Sequence, residues 1–115
     1  MPIQEWSESI MISEPEEEPA LSDELDALTR RIEGRKPGEA PDVVIDMKSV
    51  HMVNSSNIAQ LLKVRKVLQE RGARLRVCSM NDQVWSVIMV TGLDKVFDFT
   101  EDIATSIASL QIEAE

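Results

Sequence analysis

Three consecutive branched apolar residues, Val43-Val44-Ile45, closed off at once by Asp46, constrain the fold most tightly. Side chains along a strand alternate between its two faces, so a strand with one wet face alternates apolar and polar residues. This run leaves no face for water. It predicts a central strand covered on both sides, the usual setting of parallel sheets. A parallel neighbour needs a crossover, most often a helix. The following residues supply one: a polar knot, Asn54-Ser55-Ser56-Asn57, and then an amphipathic stretch that stops at Gly72. Ile58, Leu61, Leu62, Val64 and Leu68 form its apolar stripe, so a helix is predicted over 55–71. Arg65 interrupts that stripe, and its long stem is predicted to snorkel at the edge.

The rest of the chain repeats the alternation. Ile3 to Ser13, with Ile3, Trp6, Ile10, Met11 and Ile12, reads as one or two short strands. Glu14-Pro15-Glu16-Glu17-Glu18-Pro19 reads as a loop, from its prolines and like charges. Leu21, Leu25, Leu28 and Ile32 fall at helical spacing, with Ser22 as the predicted N-cap and Gly34 as the stop. Arg74 to Cys78 is the next strand, and Asn81 caps a helix over 82–91. Val96 to Phe99 is predicted as a short edge strand, and Thr100 as the cap of a last helix carrying Ile103, Ile107 and Leu110. Residues 110–115 read as a frayed tail. Strands alternating with helices imply an α/β class with a mixed, mostly parallel sheet of four or five strands and four helices. Val43, Ile45, Leu61, Leu62, Leu68, Leu75, Val77, Ile88 and Leu93 are the predicted core.

At 115 residues the chain suits a single domain over 1–115, in which residues 1–20 hold the short strands and the acidic loop. Its formal net charge of -9 is uneven, because all nine acids before Arg30 stand without a Lys or Arg among them. The acidic stretch is either a solvated loop or a patch that steers a basic partner. An acidic chain without a basic stripe argues against nucleic acid as a partner and against docking on anionic lipid. No apolar run is long enough for membrane insertion. Cys78 is the single cysteine, which excludes an internal disulfide. With no leader-like N-terminus, a cytoplasmic location is expected.

Ser55 and Ser56 follow a strand and open a helix, where N–H groups lack partners and the field favours anions. Such serines can be plain caps or phosphate acceptors. A Ser–His hydrolase would need His51 to reach a hydroxyl, and no Gly-x-Ser-x-Gly elbow is present. Asp46, at a strand end, is the residue a phospho-aspartate receiver would use, but it lacks companion carboxylates for Mg²⁺. No glycine-rich phosphate loop and no metal-ligand spacing is found, so neither cofactor nor metal is expected. Trp85 and Met89, four apart, are either core or interface residues.

Taken together, these residues resemble the STAS domain of bacterial anti-sigma-factor antagonists. Asn54-Ser55-Ser56-Asn57 is similar to the family's Asp-Ser-Ser-Gly at the helix start. Thr91-Gly92-Leu93-Asp94-Lys95-Val96-Phe97 is similar to a second signature. The resemblance spans roughly residues 20–110, and beside it the N-terminal strands look trimmed. It implies a protein that is not an enzyme and that binds an anti-sigma factor of the serine protein kinase type. It implies phosphorylation at Ser55 in preference to Ser56, with loss of binding. A partner surface is expected over Asn54, Ser55, Ser56 and Asn57 and the neighbouring Ser79, Met80 and Asn81. Asn54 stands where the family has Asp, and Asn57 where it has Gly, adding a side chain at a place of close approach. A non-phosphorylated scaffold, an accessory subunit of a sensory or lipid-transport complex, and a homodimer remain open alternatives.

Overall fold

The computed structural model describes residues 3–113. Its strands are β1 (Ile3–Glu5), β2 (Ile10–Ser13), β3 (Asp42–Asp46), β4 (Leu75–Cys78) and β5 (Phe99–Thr100). Its α-helices are α1 (Ala20–Glu33), α2 (Ser55–Glu70), α3 (Asp82–Thr91) and α4 (Ile103–Glu113). They build one five-stranded sheet in the order β1-β2-β3-β4-β5. β1 and β2 pair antiparallel; β2 to β5 are parallel, with Val43 opposite Met11 and Leu75. β3, built on the apolar run Val43-Val44-Ile45, is therefore central, and Val43, Val44 and Ile45 are each fully buried.

Strand alternation divides the core into two layers. Met11, Val43, Ile45, Leu75 and Val77 pack with the apolar residues of α1, α2 and α3. Ile10, Ile12, Val44 and Cys78 pack on the other face with Ile107 and Leu110 of α4. Successive crossovers that advance in one direction along a sheet with one hand place their helices on one face. The helix after β5 crosses back to no strand among the described residues, and it covers the other face.

Several boundaries differ from the sequence expectation. Leu62 is exposed (37%), whereas Leu61, Val64, Val67 and Leu68 are buried. α2 packs on one side only, and Leu62 lies about 100° round the helix from Leu61, beyond the contact. Leu93 is half-buried against the core and Arg65 half-buried at the helix edge. α1 begins before Ser22, at Ala20; Glu18 takes both the N–H of Ser22 (2.7 Å) and its hydroxyl (2.6 Å). Asp102, not Thr100, caps α4 by accepting the N–H of Thr105 (2.7 Å). The edge strand begins only at Phe99, because Gly92 ends α3 at φ +76° and Leu93–Lys95 then coil into a 3-10 turn. That turn drops Phe97 into the core. α4 continues to Glu113 with Leu110 buried; Ala114 and Glu115 of the expected tail lie outside the described residues.

Candidate functional site

β3 delivers Asp46 to the carboxyl end of the sheet, where it is buried. Its carboxylate accepts the N–H of Lys48 (3.1 Å) and turns the chain. The Lys48 ammonium lies between Glu14 (3.4 Å) and Asp46 (3.7 Å), and Glu14, ahead of Asp46, raises the lysine's pKa. Asp46 is thus engaged with the Lys48 side chain as well as with its N–H. Among the described residues no three His, Cys, Asp or Glu side chains gather to hold a metal ion.

The loop that follows is anchored by Met47, Val50 and Val53, all buried, while His51 and Met52 face outward. His51 Nδ1 is 2.9 Å from Glu17, which also accepts the His51 N–H. The single histidine is thus held by an acid of the 14–19 loop and makes no pair with a serine hydroxyl among the described residues.

Asn54 opens α2 with a reciprocal cap. Its side chain accepts the Asn57 N–H (2.9 Å), and the Asn57 side chain accepts the Asn54 N–H (3.0 Å). Such a box satisfies two of the orphan donors of a helix start. Ser55 and Ser56, the first two helical residues, stand exposed. Asn57 behaves otherwise than expected of a residue in the family's glycine position: it is completely buried, and its amide turns inward. Its NH2 reaches Gln60 (3.2 Å), Glu18 (3.4 Å) and Ser22 (3.4 Å). Gln60 in turn donates to the Ser22 carbonyl and to Asp26, both at 3.0 Å. Hydrogen bonds from the Ser22 hydroxyl first, then its N–H, and more weakly from Asn57, hold the Glu18 carboxyl below the usual range. This network ties the start of α2 to the start of α1.

The second predicted group lies beside the first. Asn81 caps α3 through the Val84 N–H (2.8 Å), and its amide reaches back to the Val50 carbonyl (3.5 Å). Ser79 takes a left-handed φ of 63° and donates its N–H to Glu101 (3.2 Å). Met80 is half-buried against the core. The loops after β2, β3 and β4 therefore meet at the carboxyl ends of the parallel strands, where ligand and partner sites of open α/β sheets form.

The chain matches the model of the STAS domain over residues 5–109. It belongs to the STAS domain family. An anti-sigma F factor antagonist of Paenibacillus polymyxa is 24% identical over 98 residues, which are 80% of this chain and 84% of that one. Among solved structures, an anti-sigma-factor antagonist (STAS) domain protein of Planctomyces limnophilus superposes with a TM-score of 0.78. It is 18% identical, over 95% of this chain and 97% of that chain. The anti-sigma factor antagonist SpoIIAA in its unphosphorylated form superposes with a TM-score of 0.77 at 12% identity, covering 95% and 94% of the two chains. The mixed five-stranded sheet of this STAS domain is thus the fold of its structural relatives.

Sequence reasoning missed three parts of this STAS domain's candidate site. Glu17 and Glu18 were legible only as loop charge, yet they brace His51, Ser22 and Asn57. Gln60 and Asp26 join α2 to α1; their polar positions beside apolar stripes were the available signal. Met52, 69% exposed, places an apolar side chain two residues before Asn54. Among the described residues no helix is long and apolar enough to cross a membrane.

Proposed function

We propose that this STAS domain is a regulatory binding module that works without enzymatic chemistry of its own, as an anti-sigma-factor antagonist in the cytoplasm. Its partner is an anti-sigma factor of the serine kinase type. The contact surface is the start of α2, with Asn54, Ser55, Ser56 and Met52, and the adjoining Ser79-Met80-Asn81 turn. Phosphorylation at Ser55 switches it off. The observation that carries this reading is an exposed serine pair on the first turn of a helix whose cap and supporting network are internally satisfied. Such a turn is rigid, and an added charge changes the surface without unmaking the fold. A phosphoryl group adds a charge of about -2, which a partner shaped around a neutral hydroxyl rejects.

A second reading, the non-phosphorylated scaffold, is favoured by Glu17 and Glu18, anchored to residues on either side of the serines and unfavourable to a further anion. One experiment separates the two. The purified chain is incubated with its cognate kinase, ATP and Mg²⁺, and its intact mass and partner affinity are followed. The switch requires a single phosphoryl adduct, absent in Ser55→Ala, and partner binding weakened at least about tenfold by Ser55→Glu. Binding without any adduct supports the scaffold; turnover of esters or nucleotides lost in Ser55→Ala would overturn both.

A further inference from the structure

Arg65 is the one residue of α2 that breaks its apolar stripe, and the start of α2 makes no use of it. It lies ten residues beyond Ser55, about 15 Å along the helix axis. There it lines a half-open cavity of about 140 Å³ at the opposite end of the sheet from the serines. The cavity follows from the short edge strand. β5 pairs only with Val77 and Cys78, so the first half of β4 has no strand beside it on that side. Residues 96–98 run past that gap, and Asp98 ties them to β4: Val77 donates its N–H to the Asp98 carbonyl (3.1 Å) and Arg76 reaches the Asp98 carboxylate (3.4 Å).

The lining has two chemistries. Ala73, Leu75, Val96 and Phe97 supply its apolar part. Arg65 and Gln69, one helical turn apart, stand on one side of it. The other charged groups at the rim are already engaged. Arg74 is bound to Asp42 (2.9 Å) and to the Leu110 carbonyl (3.0 Å), and Asp98 pairs with Arg76 (3.4 Å). Arg65 is half-buried and makes no ion pair or hydrogen bond among the described residues. Partly desolvating a guanidinium without a counter-charge is unfavourable, and an anion seated on it relieves that cost.

We infer that this cavity is a binding site for a small organic anion: one oxyanion head group held by Arg65 and Gln69, and a compact apolar body laid on Leu75 and Phe97. The volume limits that body to about six carbon atoms, since an apolar cavity of about 150 Å³ accommodates a benzene ring. A carboxylate and a phosphate monoester share the required head-group chemistry. The site lies apart from the serine surface and does not depend on the function proposed for that surface.

The test is titration of the isotopically labelled full chain with hexanoate, benzoate and phenyl phosphate, with hexanamide and benzamide as uncharged controls, read by amide chemical shifts. Saturable shifts at Arg65, Gln69, Ala73, Leu75 and Phe97, with the amides at least about tenfold weaker, are expected. Preference for a carboxylate or for the phosphate ester then identifies the ligand class. Arg65→Gln should weaken anion binding by about tenfold or more, Arg65→Lys should restore part of it, and Val96→Phe should abolish it by filling the space. The spectra of the three variants report their folding directly. Absence of saturable shifts in the wild type, shifts centred elsewhere, or unchanged anion binding in Arg65→Gln or Val96→Phe would each overturn the site.

Discussion

Ser55 and Asn57 sit two residues apart and have opposite roles. Ser55 is exposed and spends nothing on the fold, so Ser55→Glu should change stability by no more than about 1 kcal/mol, with a favourable helix-field contribution. Equilibrium urea unfolding measures this. Asn57 is buried, with both ends of its amide engaged. Asn57→Ala keeps the Asn54 cap but removes the return half of the box and leaves neighbouring polar groups unpaired, and should cost about 1–3 kcal/mol in the same assay. Glu18 belongs to the same network, with its carboxyl held below the ordinary glutamate value by hydrogen bonds from Ser22. A depressed carboxyl pKa stabilises the fold above the unfolded pKa, and that contribution disappears as pH falls through the folded value. The stability difference between wild type and Glu18→Gln should therefore be constant near neutrality and shrink below about pH 4.5. Denaturation midpoints collected across pH 3–7 would reveal it, and a difference that grows on acidification would contradict the assignment.

At the scale of elements, α2 joins the proposed partner surface to the core. Its buried positions Leu61, Val64 and Leu68 follow helical spacing onto the sheet, whereas Leu62 points away. Leu61→Ala and Leu68→Ala should each destabilise by about 2–5 kcal/mol. Leu62→Ala should cost under about 1 kcal/mol, and urea unfolding of all three measures the contrast. α3 shows the same division. Val84 and Ile88 are buried, while Trp85 and Met89 are 37% and 50% exposed. Trp85 meets Phe99 edge-on, with centroids 5.1 Å apart, so it covers the short edge strand while part of its ring stays exposed. Of the two sequence alternatives for Trp85, the contact with Phe99 accords with packing, and a role at an interface is a proposal that partner binding by Trp85→Ala would test.

Across the whole molecule, charge and topology set what the proposed partner would meet. The acids before Arg30 include Glu17 and Glu18, which the fold fastens beside the α2 start. A basic partner should therefore associate faster at low salt. Raising ionic strength from 0.05 to 0.5 M should lower the association rate by about tenfold or more and leave dissociation nearly unchanged, as stopped-flow binding can measure. Much of the architecture follows from local residue patterns alone. The apolar β3 must be central, α2 must carry its stripe inward, and Asn81 and Gly92 must bound α3, because period, capping and backbone freedom are properties of neighbouring residues. The two serines at a helix start are visible for the same reason. What local pattern leaves open is whatever depends on residues far apart in sequence. Leu62 is apolar enough for a core, but the width of the α1–α2 contact excludes it. Asn57 reads as a surface residue until Glu18, Ser22 and Gln60 surround its amide. Phe97 reads as strand until the turn at Gly92 sends it inward and shortens β5. Burial and buried hydrogen bonds are set by which surfaces meet, and only the packed chain decides that.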